Sequence, residues 1–131
     1  MRFHKADIEL FQSIAESEFR IRKPVILRVC KSVKLDSDYC VGLYEDEFDF
    51  HSIKISRAEI WNPVELFATI MHEYAHAWQS ENREDTLGHN TIGFRKFRKY
   101  FRAHYNIDLI GFNHAQETSI GNCYSTGRVL F

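Results

Sequence analysis

At 131 residues the chain has the length of one domain that can bury a sizeable core. Its formal net charge of −1 excludes an overall electrostatic pull toward nucleic acid, and an aromatic content of 15%, led by 11 phenylalanines, excludes an intrinsically disordered chain. No apolar run is long enough to span a bilayer and none near the N-terminus reads as a signal peptide, so no membrane partner is expected.

Residues 7–21 read as a helix, with Asp7 as cap and Ile8, Phe11, Ile14, Ala15 and Phe19 at helical spacing. Pro24 stops it. Three strands follow, over 25–34, 39–45 and 51–57, with a turn at Asp36, Ser37 and Asp38 and an acidic hairpin tip at Glu45, Asp46, Glu47 and Asp49. Gly42 marks a bulge or a close approach. In 51–57, Ile53 and Ile55 alternate with Ser52, Lys54 and Ser56, which predicts one buried and one wet face. Short connections favour an antiparallel meander. We take 51–57 as an exposed edge to which an extended peptide can add as a further strand along Ser52, Lys54 and Ser56, beside an ordinary sheet strand as the plainer reading.

The next helix, residues 62–82, carries the chemistry. Asn62 is a good N-cap, Pro63 sits at the first helical position, and Glu65 can close a capping box. Leu66, Phe67, Ile70, Met71, Tyr74 and Trp78 form an apolar stripe. Within it lies a His-Glu-x-x-His pattern, His72 to His76. Four residues apart on a helix, the two imidazoles project from one face, where both ring nitrogens can reach a single Zn²⁺ at about 2.0–2.1 Å. Glu73 is placed to take a proton from the metal's water rather than to bind the metal. The plain alternative is a surface helix with two solvated histidines; the cap, the stripe and the cost of polar groups inside an apolar run count against it.

Residues 83–90 read as a polar loop, and helix signal returns over 91–105. Phe94, Phe97, Phe101 and Tyr105 make its apolar stripe, while Arg95, Arg98, Lys99 and Arg102 fall on one basic face, either a solvated surface or a phosphate-binding one for DNA or RNA. The tail over 110–131 has weak periodicity and is either a further strand near 128–131 or mobile. Cys30, Cys40 and Cys123 are odd in number and lack Cys-x-x-Cys spacing, which excludes a zinc ribbon and argues against a disulfide framework. A cytoplasmic location, nucleoid-associated if DNA is bound, is the expectation.

Two histidines leave zinc short of the three protein ligands that a catalytic site commonly has. The downstream candidates are His89, His104, His114, Glu84, Asp85 and Glu117. His89, after Gly88 and at the mouth of the returning helix, is best placed. The position six residues after His76 is Asn82, which rules out the longer pattern with a third histidine there.

The helix-strand-strand-strand lead-in, the segment from His72 through Trp78 and the Gly88-His89 pair before an aromatic, basic helix together resemble the SprT-like (Spartan-type) zinc metalloprotease family, over about residues 5–107. The resemblance implies a single α+β domain over 1–131: an N-terminal helix, a three-stranded, mainly antiparallel sheet, the zinc-motif helix and a returning C-terminal helix, as a minimal zincin-like fold. It implies His72, His76 and His89 as ligands to one Zn²⁺ and Glu73 as general base. It also implies cleavage of proteins attached to DNA, with the basic helix as the DNA-facing surface. The expected activity is therefore that of a zinc-dependent metallopeptidase in which Glu73 activates a zinc-bound water. Tyr124, Tyr105 and His104 are candidates to stabilise the oxyanion. Two other readings stand beside it: a metal-stabilised nucleic-acid-binding module with little or no hydrolysis, and a hydrolase of non-peptide amides.

Overall fold

The computed structural model describes residues 3–110. The tail, with the candidates His114, Glu117 and Tyr124 and the strand expected near 128–131, lies outside the described residues. Within them the chain is α+β, in the order α1 (Lys5–Phe19), β1 (Val25–Cys30), β2 (Val33–Leu35), β3 (Asp38–Cys40), β4 (Gly42–Asp46), β5 (His51–Ser56), α2 (Pro63–Glu81) and α3 (Ile92–Tyr105).

Helix α1 starts and ends two residues earlier than its periodicity predicts. Asp7 is not the cap; its carboxylate reaches back to accept from the His4 backbone N–H at 2.7 Å, so His4 is. Arg20 adopts a left-handed conformation, φ 53°, which ends the helix before Pro24.

The main sheet has the order β1-β5-β4. Its β4–β5 pair is antiparallel, as is the separate β2–β3 hairpin, so antiparallel pairing predominates. The expected meander is corrected in one respect: β1 runs parallel to β5, with Val25 opposite His51 and Cys30 opposite Ser56. The two continuous strands expected over 25–34 and 39–45 are each broken in the middle. The inner pieces fold onto each other as β2 and β3 around Asp36, whose φ of 57° is one that Asp tolerates. This hairpin and β4 fill residues 31–50, a connection long enough to bring β5 alongside β1 in the parallel sense. Strand β5 is therefore central, and the expected peptide-binding edge at Ser52, Lys54 and Ser56 is wrong. Both strand flanks are occupied, and Ser52 and Ser56 are buried.

Helix α2 is enclosed by α1, the sheet and α3, which explains why nearly every residue from Leu66 to Ala77 is buried. The Asn62 side chain accepts from the Glu65 N–H at 2.9 Å, while Glu65 accepts from Trp61 N–H at 2.7 Å, one residue before the cap. Behind α2, Phe19 packs its ring against Tyr74, Phe97 and Phe101, joining α1, α2 and α3. At the C-terminal end of α2, Glu81 binds buried His51 at 2.8 Å and accepts the Arg22 and Lys23 N–H groups, which ties the helix to β5 and to the start of β1. No helix among the described residues is long and apolar enough to cross a membrane. Cys30 is a free thiol.

Candidate metal centre

His72 and His76 project from the same face of α2 and are completely buried, as is Glu73 between them. Their Nε2 atoms lie 3.1 Å apart. His89, on the bend before α3, brings its own Nε2 to 3.2 Å from that of His72. The three imidazoles form a single group, every ligand atom within 4.8 Å of the others. All three residues expected as metal ligands are thus brought together, and the third comes from the Gly88 bend.

The ring tautomers follow from the outer nitrogens. His72 Nδ1 lies 2.6 Å from the Leu109 carbonyl, which can only accept, so Nδ1 carries the proton and Nε2 keeps its lone pair. His76 Nδ1 faces the side-chain oxygen of Gln79 at 2.6 Å, with the same consequence. Burial, together with the charges that His76 and His89 would carry, pushes His72 far below the ordinary histidine value. Burial and His89 do the same to His76. His89 is lowered to about 4 by burial and by the Arg98 guanidinium. At neutral pH the centre is therefore three neutral imidazoles, with the His72 and His76 lone pairs facing each other and His89 Nε2 beside them.

The lone pairs of His72 and His76 repel at this separation, so the arrangement is costly unless a cation sits between them. Two nitrogens each 2.0–2.1 Å from one ion at a tetrahedral angle stand about 3.3 Å apart, close to the spacings observed. Phe94 makes an apolar wall for this group, its ring centroid 5.2, 5.0 and 5.2 Å from those of His72, His76 and His89. From β4, Tyr44 stacks on His76 at 6.5 Å.

Glu73 supports the same assignment by a different route. Both its oxygens are buried and neither has a hydrogen-bond partner among the described residues. Burial alone drives its pKa well above the usual carboxylate range. Gly42 makes room for it: a Cβ at that position would stand 2.7 Å from Glu73 Oε2, so the glycine is the close approach its place in the strand suggested. A buried carboxyl beside three neutral imidazoles is a donor set that fits a divalent cation and its water.

The other candidates are placed elsewhere. Glu84 accepts from the Gly93 N–H at 2.9 Å, Asp85 from the Leu87 N–H at 2.8 Å, and His104 is exposed on α3. Tyr105 bonds Glu18, away from the histidine group. Arg95, Arg98, Lys99 and Arg102 do share one surface and line a cavity of about 310 Å³. Two of them are engaged: Arg98 grips Asp108 with two bonds of 2.7 and 2.8 Å, and Arg102 bonds the same carboxylate. A cavity of about 500 Å³ lies between Trp78, Phe97 and Tyr100 and is lined by none of the three histidines.

Sequence reading missed Tyr44, Gln79 and Leu109. Leu109 acts through a backbone carbonyl, for which no side-chain signal exists. Tyr44 and Gln79 sit in a strand and a helix with no pattern that marks them. Compared with protein-family models, with curated proteins and with solved structures, the chain gives no significant match.

Proposed function

We propose that the protein is a zinc-dependent metallopeptidase of the SprT-like kind, with His72, His76 and His89 as the ligands and Glu73 as the general base. The observation that carries this reading is the pairing of three converging imidazole nitrogens with a buried carboxyl, next to the first ligand in sequence, that has no hydrogen-bond partner among the described residues. Three imidazoles suit zinc among the available divalent metals. When bound, such an ion supplies Lewis acidity toward a peptide carbonyl and makes water a better nucleophile. The chain's own groups do the rest. Glu73, held in an apolar setting that raises its proton affinity, takes the proton of the attacking water and passes it to the departing amine. The Leu109 carbonyl and the Gln79 side chain keep the outer nitrogens protonated and the inner ones free.

Strand β4 replaces β5 as the peptide-docking edge. Among the described residues β4 pairs only with β5, and it carries Gly42 against Glu73 and Tyr44 against His76. An extended peptide hydrogen-bonded along it would pass the histidine group. The four-residue basic surface supports DNA-associated protein as the substrate class, with Arg95 and Lys99 as the cations not tied to Asp108 by a hydrogen bond among the described residues. The competing reading, a metal-stabilised nucleic-acid-binding module without hydrolysis, draws on that same surface but leaves the stranded Glu73 without a role.

The test is elemental analysis of the purified protein and of His89→Ala, with a protein-substrate digest run with and without single-stranded DNA. One zinc per wild-type chain, loss in the variant and wild-type cleavage are expected. Zinc binding without cleavage under any condition would favour the binding module.

A further inference from the structure

Gln79 carries no pattern that marks it in the sequence. In the structure it is completely buried one turn beyond His76 and uses both its donor hydrogens and its oxygen. Its Oε1 faces His76 Nδ1 at 2.6 Å. Its Nε2 donates to the Gly88 carbonyl at 3.0 Å and to Thr91 Oγ1 at 2.8 Å. The orientation of the amide is set by chemistry: reversed, its oxygen would face the Gly88 carbonyl, acceptor against acceptor. Gly88 precedes the third histidine, and Thr91 is the N-cap of α3, whose side chain accepts from the Phe94 N–H. Phe94 in turn walls all three imidazoles.

We infer that Gln79 is the positioning residue of the metal centre: one amide that selects the His76 tautomer and, with its other end, pins the bend that delivers His89. This rests on the metallopeptidase reading but assigns a part to a side chain outside its ligand set. The two functions are coupled because the same planar group performs both. If the Gly88 bend moves, the amide turns, and His76 loses the Gln79 oxygen and keeps only its backbone contact with Thr86.

The experiment uses the full chain and zinc alone. Zinc affinity is measured by chelator competition on wild type and Gln79→Met, and the imidazole tautomers are read from long-range ¹H–¹⁵N spectra of the zinc-free proteins. Methionine fills the space but neither accepts nor donates. The expected result is roughly 10–100-fold weaker zinc binding, the usual loss when a ligand's outer partner is removed, with His76 shifting from one tautomer to a mixture. A residue that only packs would leave the tautomer unchanged. Should Gln79→Met not fold, Gln79→Glu serves. Its carboxylate still accepts from His76 Nδ1 but cannot donate to Gly88 or Thr91, so the tautomer holds while zinc affinity falls. Wild-type affinity in whichever variant folds overturns the inference, as does an unmoved His76 tautomer in Gln79→Met. If the wild type takes up no zinc, the metallopeptidase reading fails and this inference with it; a zinc-binding wild type indistinguishable from the variant sinks this inference alone.

Discussion

Replacing Glu73 by Gln should stabilise the zinc-free protein while abolishing hydrolysis. The carboxyl has an ordinary pKa of 4.5, both oxygens lack partners, and burial raises its pKa far above that figure. Keeping such a group neutral costs about 1.4 kcal/mol for each unit by which the pH exceeds its unfolded value, or about 3 kcal/mol at pH 7. Glutamine has the same shape and is neutral without that cost; the loss from unpaired polar atoms is shared by both side chains and largely cancels. The zinc-free variant should therefore be about 3 kcal/mol more stable at pH 7 and melt on the order of 10 °C higher for a chain of this size. A carboxyl whose pKa is raised by folding contributes fully below about pH 4.5, and that contribution is lost as pH rises toward its folded value. Wild type and variant should accordingly melt together near pH 4 and separate toward pH 7. Thermal melts of chelator-treated protein across that range supply the measurement. With zinc added the gap should shrink, zinc should still bind, and peptide cleavage should fall by roughly 10²–10⁴, the usual worth of a general base. A variant no more stable than wild type at pH 7 would mean that Glu73 is not stranded, and the argument for its role as base would collapse.

Gly42→Ala would place a methyl group 2.7 Å from Glu73 Oε2, so it should cost about 1–3 kcal/mol and displace the carboxylate; cleavage should drop while zinc content, by elemental analysis, stays at one. Asp108→Ala frees Arg98 and Arg102 and loosens the segment that holds the Leu109 carbonyl on His72 Nδ1, so chelator competition should show zinc binding weakened by roughly 10-fold or more. The zinc-free protein should lose stability in acid. His89 has a folded pKa near 4 against an ordinary 6.5, so its contribution is intact above about pH 6.5 and about 3 kcal/mol is lost as pH falls to 4. Denaturant titrations should show a shallower pH slope in His89→Ala than in wild type.

The parts of this protein that were legible in advance are those whose geometry is local. Asn62, Pro63 and Glu65 start α2 by rules confined to one turn, and the spacing of His72 and His76 fixes their common face without reference to any other part of the chain. His89 was reachable because a glycine bend close in sequence limits where the chain can return. What failed was non-local. The alternation of Ile53 and Ile55 with Ser52, Lys54 and Ser56 reads as a half-wet strand at a sheet edge. Yet β5 pairs on one side with β4, its near neighbour, and on the other with β1, twenty-six residues back at Val25 and His51. Nothing in a period of two records how many neighbours a strand has.

The basic face shows the same boundary from another direction. Helical periodicity correctly gathered Arg95, Arg98, Lys99 and Arg102 on one surface, but it could not say what they face. Asp108, beyond the C-cap of α3, folds back to take Arg98 and Arg102, and the residue after it presents its carbonyl to His72. Two of the four cations therefore serve the histidine group through three intermediaries: a carboxylate, a turn and a backbone oxygen. Gln79 touches it directly. The three histidines were legible because metal chemistry demands particular side chains at particular spacings. Their supports were not, because any acceptor at the right point satisfies an imidazole N–H, whether a glutamine on the same helix or a leucine carbonyl 37 residues away.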